Sequence, residues 1–358
     1  MLETAPDGRW FRVRSDAGTE GWLVERYLER ESTGAQRPSP AWASSAACQA
    51  ALGTTRPLRR PGVARIGTWN VRWFPDGSPG HGPPKSGGTD VGWLACALAS
   101  LDLDVLAVQE FKSNERARMR LGELCAELGR VGGGRWRAAL DDCPNVDGQH
   151  VGLLYNEERV QARAWHTFAT LNPSRVKCQH QLRPGLGAYF VFPGGLDLYL
   201  VSVHHKSGSA RRDLELREST LGGFAAAEAE ARALVSDQDL VFLGDFNPMG
   251  CRHCSPPVSA ETELAALAAS GRSLPVPLEL VGMDAPCTEI SSEGGGRLDQ
   301  VLLSQSLRPL LGGRQAHVGG VCEGDGCRTE RARTHSPPVE RLSDHCPVVL
   351  ELDDRDLD

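Results

Sequence analysis

A chain of 358 residues is too long for one small domain, and a core of roughly 250–300 residues with an appendage is the natural division. Its hydrophobic content of 40% and charged content of 24% are ordinary for a soluble globular protein. The formal net charge of −7 argues against coating nucleic acid through bulk positive charge, without excluding an enzyme that meets phosphates through a metal ion. No run of about 18 apolar residues is present, so no transmembrane segment is expected.

The first residues, MLETAPDGRWF, contain no basic or apolar leader region. Eleven cysteines, however, are many for a reducing cytosol. Close pairs such as Cys251–Cys254 and Cys322–Cys327 read as local disulfide staples, and an odd total leaves one thiol over. Export to the periplasm or medium, with a start upstream of Met1, reconciles these features; a cytoplasmic protein is the alternative. A single chain working as a monomer is expected.

Residues 6–30 carry short alternating runs separated by the turn signals PDG, DAG and TEG, with Trp10, Phe11, Trp22 and Tyr27 interleaved. The G-x-W-x-x-V and G-W-x-x-x-x-Y-L pattern resembles the second half of a bacterial SH3-type domain, which implies a cell-wall or peptide ligand. Some 30 residues cannot bury a core of their own. Residues 31–64, rich in Ser, Thr, Ala, Pro, Gly and Arg without a period, read as a linker.

From Arg65 the character changes. RIGTWNVRWF, DVLAVQEF, HVGLLYN, LDLYLVSVHHK, DLVFLGDFN, RLDQVLLS and CPVVLEL are strand-like. Between them, residues 90–101, 114–129, 210–236 and 260–270 carry helix-like spacing. Strands mixed with helices indicate an α/β (α+β) domain over residues 65–353, its sheets covered by helices.

Six strand-like segments carry residues at their ends that bind metal or phosphate: Asn70, Glu110, His204, Asp245 with Asn247, Asp299, and Asp344 with His345. Any one of them reads as a solvated strand end. Together they suggest a concave acidic site on a rigid scaffold. Glu110 offers the hard carboxylate that Mg²⁺ prefers, and Asn70 an amide oxygen or donors to hold the metal shell or a substrate oxygen. Asp245 and Asn247, two apart in an extended segment, point to one side, one able to orient water and the other to hold a phosphate oxygen. His345 needs a carboxylate to fix its tautomer, and Asp299 or Asp344 supplies one.

The ordered set T-W-N, V-Q-E, G-L-L-Y-N, V-H-x-K-S-G, G-D-F-N, R-L-D-x-V-L-L-S and S-D-H-C-P-V resembles the endonuclease/exonuclease/phosphatase superfamily, the deoxyribonuclease-like fold. The resemblance spans Arg65 to Leu352 and implies a four-layered sandwich of two central sheets flanked by helices, with the site at one edge. It implies Glu110 as principal metal ligand with Asn70 beside it and Asp344 near the metal. It further implies Asp245 and Asn247 around water and phosphate, His345 as catalytic histidine with Asp299 as its acid, and His204 near the leaving group. Adjacent His205 leaves that last alignment open by one residue. Arg183 before Pro184 matches a phosphate-facing arginine, Lys206 adds a basic contact, and Tyr155 is a candidate to line the site. The implied cofactor is Mg²⁺, with Mn²⁺ or Ca²⁺ as substitutes.

Substrate is read from what is missing. GGGRLDQVLL lacks the P-A-W-C-D-R box of inositol-phosphate phosphatases, no exposed aromatic cluster of the sphingomyelinase kind follows Arg65, and Arg72 stands where abasic-site repair enzymes carry Asp. The V-H-x-K-S-G segment followed by SARRDLELRES matches bacterial nuclease-like members, with Lys206, Arg211, Arg212 and Arg217 available to a phosphate backbone. The expectation is a metal-dependent, sequence-nonspecific deoxyribonuclease, with DNA favoured over RNA. The alternatives are a phospholipid or inositol-phosphate esterase of the same family, and a binding protein whose nuclease-like domain is inactive. Cys251-x-x-Cys254 reads as a disulfide or as half of a zinc site.

Overall fold

Residues Val63–Phe74 alternate apolar side chains between two faces, and in the computed structural model they form one twelve-residue strand buried over most of its length. The structure describes residues 3–4, 10–14, 20–24, 39–55, 61–77, 88–179, 182–291, 295–323, 327 and 336–357. The chain divides into two units, Met1–Gln36 and Arg37–Asp358. In the first, β1 (Glu3–Thr4), β2 (Trp10–Arg14) and β3 (Glu20–Val24) pair antiparallel into a three-stranded sheet. The Tyr27–Leu28 end of the SH3-like pattern lies outside the described residues.

In the second unit the strands are β4 (Val63–Phe74), β5 (Val105–Phe111), β6 (Trp136–Leu140), β7 (His150–Asn156), β8 (Gln161–Phe168), β9 (Gly185–Val191), β10 (Asp197–His204), β11 (Leu240–Asp245), β12 (Leu278–Leu280), β13 (Asp299–Ser304), β14 (His317–Val318) and β15 (Val348–Asp353). One sheet has the order β14-β15-β4-β5-β7-β6 and the other β12-β13-β11-β10-β9-β8. Each holds one central parallel pair, β4 with β5 and β10 with β11, flanked by antiparallel neighbours. The carboxyl ends of the four parallel strands and the starts of β13 and β15 therefore meet at one edge of the sandwich.

Helices α1 (Ser45–Thr55), α2 (Val91–Leu101) and α3 (Glu115–Gly132) belong to the first sheet; α4 (Arg211–Leu221), α5 (Phe224–Leu234) and α6 (Ala260–Arg272) belong to the second. Ile66, Ala107, Leu200, Leu243 and Leu350 fill the space between the sheets. Trp69, Val108, Leu94 and Leu124 join the first sheet to its helices, and Val201, Phe242, Phe224 and Leu267 do so for the second. This is the expected four-layered α/β sandwich. The run read over 210–236 is two helices, because the chain breaks at Gly222–Gly223, where a Cβ on Gly223 would stand 1.9 Å from the Thr170 carbonyl oxygen.

The linker reading of residues 31–64 is corrected over part of its length. The turn Pro40–Trp42 and α1 pack on the sandwich: Trp42 meets Trp69 edge-on with ring centroids 5.7 Å apart, and Trp93 Nε1 donates to the Ala41 carbonyl at 2.8 Å. The Cys48–Cys96 disulfide bonds α1 to α2. One Trp and one Cys carry this attachment, so no apolar period announced it.

Arg217 corrects another expectation. It is 1% exposed, ion-paired with Glu263, and donates to the carbonyl oxygens of Lys206, Gly208 and Gly250 at 2.9, 2.7 and 3.1 Å. It bolts two loops together and is closed to a nucleic-acid backbone. Arg217→Ala leaves Glu263 buried without its counter-charge and is expected to cost about 3–5 kcal/mol. An unchanged urea midpoint would contradict this.

Ten of the eleven cysteines are paired: Cys48–Cys96, Cys143–Cys178, Cys251–Cys254, Cys287–Cys327 and Cys322–Cys346. Cys125 is the odd thiol, pushed up to about 11 by burial. The Cys251–Cys254 staple forms, which removes the half-zinc reading. The Cys322–Cys327 staple does not form. Cys346 N donates to the Thr288 carbonyl at 2.7 Å, so β15 starts beside the 287–288 segment, and Cys322 and Cys327 each pair with a distant cysteine instead.

Candidate active site

Strand alternation selects which side chains meet. Ile66, Thr68 and Asn70 share the inward face of β4, as Leu198, Leu200, Ser202 and His204 do on β10, and Val241, Leu243 and Asp245 on β11. Beneath them Gln109 Nε2 donates to Thr68 Oγ1 at 3.1 Å and Ser202 Oγ at 3.2 Å, a polar layer joining the sheets. Alternation alone would turn Glu110 outward. A register shift between Asn70 and Phe74 and a φ of 65° at Glu110 bring it into the site instead. Gly244, at φ 148°, lets β11 approach β10; a Cβ there would stand 2.0 Å from the Val203 carbonyl oxygen.

Asp245 is the centre. Its Oδ2 accepts from Asn70 Nδ2 at 3.0 Å and lies 3.4 Å from His204 Nε2 and 3.9 Å from His345 Nε2. Its Oδ1 accepts from the Asn247 backbone N–H at 3.0 Å, which holds Asn247 at a φ of 49°. Asn70 Nδ2 also donates to Glu110 Oε1 at 3.2 Å, and Trp73 N donates to Glu110 Oε2 at 3.1 Å. His345 Nδ1 meets Asp299 Oδ2 at 2.9 Å, so Asp299 is the acid that orients the imidazole. Of the adjacent histidines, His204 faces the site. His205 turns into the Phe224–Phe246 aromatic core and is pushed down to about 3, chiefly by burial.

The two site histidines are driven apart in charge. Burial pulls His345 down, but the charges of Asp299 and Asp245, the Asp299 hydrogen bond and Asp344 outweigh it and raise the imidazole well above its ordinary value. Burial lowers His204 well below its own, with Arg183 and His345 adding. A neutral His204 with its proton on Nε2 fits the contact to Asp245, and its Nδ1 is buried with no hydrogen-bond partner among the described residues. Burial, with Asp344 beside it, raises Glu110; burial pushes Asp245 up to about 7, with Asp299 and Glu110 adding and His345 and Asn70 opposing.

Asp344, part-exposed, follows Ser343, whose hydroxyl donates to the Asn70 carbonyl at 2.6 Å and accepts from His345 N at 3.1 Å. Arg183 is buried below the site, donating to Gln149 Oε1 at 3.1 Å and the His205 carbonyl at 2.7 Å, and its charge reaches Glu110 and Asp245. Lys206 pairs with Asp213 at 3.0 Å. Tyr155 does not join the site. It pairs with Val105, five residues and roughly 16 Å back along β5 from Glu110, and packs on Trp165 and Phe190. Tyr155→Phe is therefore expected to leave kcat and KM unchanged in a hydrolysis assay.

Sequence reading passed over Ser343, Gln149 and Glu289, the last of which is bridged to His345 and pushed up to about 7 by burial and Asp344 against His345. Ser343 opens the S-D-H motif but was passed over for its two neighbours, while Gln149 and Glu289 lie outside the quoted motifs. A second histidine has nucleophile-like company: Ser113 Oγ at 2.9 Å and Asp141 Oδ1 at 2.8 Å from His150. Its Nε2 also meets the Asn145 carbonyl at 3.0 Å and its imidazole is raised, so it holds this loop as a donor and cannot activate Ser113.

No protein-family model and no curated relative matches the sequence. Solved structures do match. An endonuclease/exonuclease/phosphatase from Bacteroides vulgatus superposes with a TM-score of 0.53 at 15% identity, covering 81% of this chain and 98% of that one. The chain has the endonuclease/exonuclease/phosphatase fold. Truncated Caenorhabditis elegans TDP2 gives a TM-score of 0.51 at 12% identity, and D. rerio TDP2 complexed with single strand DNA product 0.50 at 15%, each covering 81% of this chain and 98% of that one. In the sandwich so identified, the candidate site lies where the two parallel pairs of the fold end.

Proposed function

We propose that the chain is a divalent-metal-dependent phosphodiesterase that hydrolyses nucleic acid, DNA in preference to RNA, by in-line attack of water. One observation carries the reading: Asn70, His204 and His345 surround the Asp245 carboxylate, with Asn247 and Glu110 adjoining, while Asp299 holds the far side of His345. The DNA product bound by D. rerio TDP2, a chain of the same fold, supports a DNA substrate.

The donors suit a hard cation. Glu110 and Asp344 repel one another, Glu110 accepts from Asn70 Nδ2 and the Trp73 N–H, and oxygen dominates the set. Glu110 and Asp344 would hold Mg²⁺, which Mn²⁺ or Ca²⁺ could replace, with Asn70 Nδ2 fixing the Glu110 carboxylate. A bound divalent ion supplies Lewis-acid stabilisation of the charge on the phosphoryl oxygens.

The chain's own groups do the rest. The Asp245 carboxylate takes a proton from the attacking water as the new P–O bond forms and the bond to the leaving oxygen breaks. The His345 imidazolium, fixed by Asp299, donates from Nε2 to a phosphoryl oxygen, and Asn247 Nδ2 offers a neutral donor. Neutral His204 stands on the leaving-group side, where that oxygen takes a proton from solvent. The SH3-like sheet is proposed to bind a cell-wall or peptide ligand. Five disulfides among the described residues support export, and no described helix is long and apolar enough to cross a membrane.

The test is a panel of plasmid DNA, RNA, sphingomyelin and an inositol phosphate, each with Mg²⁺ and with EDTA. Plasmid cleavage that EDTA abolishes is expected. Hydrolysis of only the lipid or inositol phosphate would replace the nuclease reading by an esterase one, and no hydrolysis at all would favour the binding-protein alternative.

A further inference from the structure

The His345–Asp299 pair has a gap in its support. Asp299 Oδ2 meets His345 Nδ1 at 2.9 Å, yet its buried Oδ1 has no hydrogen-bond partner among the described residues. Among the described residues nothing grips the carboxylate from behind, so its aim depends on where the Asp299 backbone is held. Thr288, fully buried, does that holding: its Oγ1 accepts from Leu298 N at 3.0 Å and from Asp299 N at 2.9 Å. The same residue governs the partner. The Thr288 carbonyl accepts from Cys346 N at 2.7 Å, Ile290 N donates to the Asp344 carbonyl at 2.8 Å, and Glu289 bridges to His345. Segment 288–290 thus runs antiparallel beside 344–346, and disulfides flank it through Cys287 and Cys346.

We infer that Thr288 is a positioning residue for the proposed reaction, its hydroxyl setting Asp299 and its carbonyl setting the His345 segment so that carboxylate and imidazole meet. The inference rests on the phosphodiesterase reading for its effect on rate, but not for its effect on geometry. A threonine is suited to the task because one hydroxyl oxygen can accept two backbone N–H groups in a dry setting where neither has water as an alternative.

Thr288→Val removes the acceptor at nearly constant volume, and Thr288→Ser keeps it. With the full chain and bis-p-nitrophenyl phosphate, kcat is expected to fall on the order of 10²-fold in Thr288→Val with KM little changed, and to recover in Thr288→Ser. Proton NMR of the free chain reads the pair directly: the downfield His345 Nδ1–H resonance should vanish or move upfield in Thr288→Val and persist in Thr288→Ser. Should Thr288→Val not fold, Thr288→Ala replaces it in both measurements. A resonance and a kcat unchanged on losing the hydroxyl, or lost equally in Thr288→Ser, would overturn the inference. If wild type cleaves no phosphodiester, the functional reading fails, and the resonance alone still decides whether Thr288 aligns the pair.

Discussion

Asp245→Asn should lower phosphodiester hydrolysis by about 10²–10⁴-fold, the range expected for loss of a positioned general base. That corresponds to about 3–5 kcal/mol of barrier. The substitution is nearly isosteric, and the amide oxygen can still accept from Asn247 N as Asp245 Oδ1 does at 3.0 Å, so the fold should survive. What disappears is a carboxylate that burial, Asp299 and Glu110 push up to about 7, despite His345 and Asn70. Below that pH the wild-type group carries its proton and cannot take another, so the rate should rise with pH through about 7. The variant should lose both the rate and this acid limb. A circular-dichroism spectrum like wild type together with undiminished hydrolysis would remove Asp245 from the mechanism.

His345→Ala should cost a comparable factor, because the same change removes a donor to the phosphoryl oxygens and the positive charge facing Asp245. The sign of the pH dependence follows from the pair. Burial lowers the imidazole, but Asp299, Asp245 and Asp344 outweigh it, so its charged form persists to higher pH than that of a free imidazole. A group with a raised pKa in the folded chain contributes its stabilisation at low pH and loses it as pH rises through that value. Hydrolysis should therefore fall at alkaline pH, and Asp299→Asn should bring that fall to lower pH. An alkaline limb that does not move in Asp299→Asn would break the assigned link between Asp299 and His345.

Much of the site was legible because the chemistry sits on strand ends that announce themselves locally. T-W-N, V-Q-E, V-H, G-D-F-N, R-L-D and S-D-H each close or open an apolar run, and their side chains project from the edge that carries the candidate site. The parallel pairing that makes those ends coincide is long-range, and only resemblance to a known fold supplied it. What was not legible depends on distances along and between strands. Tyr155 belongs to a motif as clear as the others, yet antiparallel pairing of β7 with β5 carries it to the opposite end. Arg217 looked like a surface cation on a charged helix, and only the buried Glu263 across from it reveals a bolt. Cysteine partners follow the fold rather than the spacing, so Cys322 passes over Cys327 for Cys346. Ser343 and Thr288 act through hydroxyls that meet backbone groups distant in sequence, so nothing local marks those partners. Asp344 and His345, neighbours in sequence, separate in the structure: His345 turns to Asp299, while Asp344 stays part-exposed with its charge felt at Glu110.

The most direct test of the account is plasmid relaxation by the purified chain with Mg²⁺, run beside His345→Ala and an EDTA control. Relaxation by wild type that EDTA stops and that His345→Ala lacks is the predicted result. Relaxation that persists undiminished in His345→Ala would place the chemistry elsewhere and contradict the assignment of this edge as the active site.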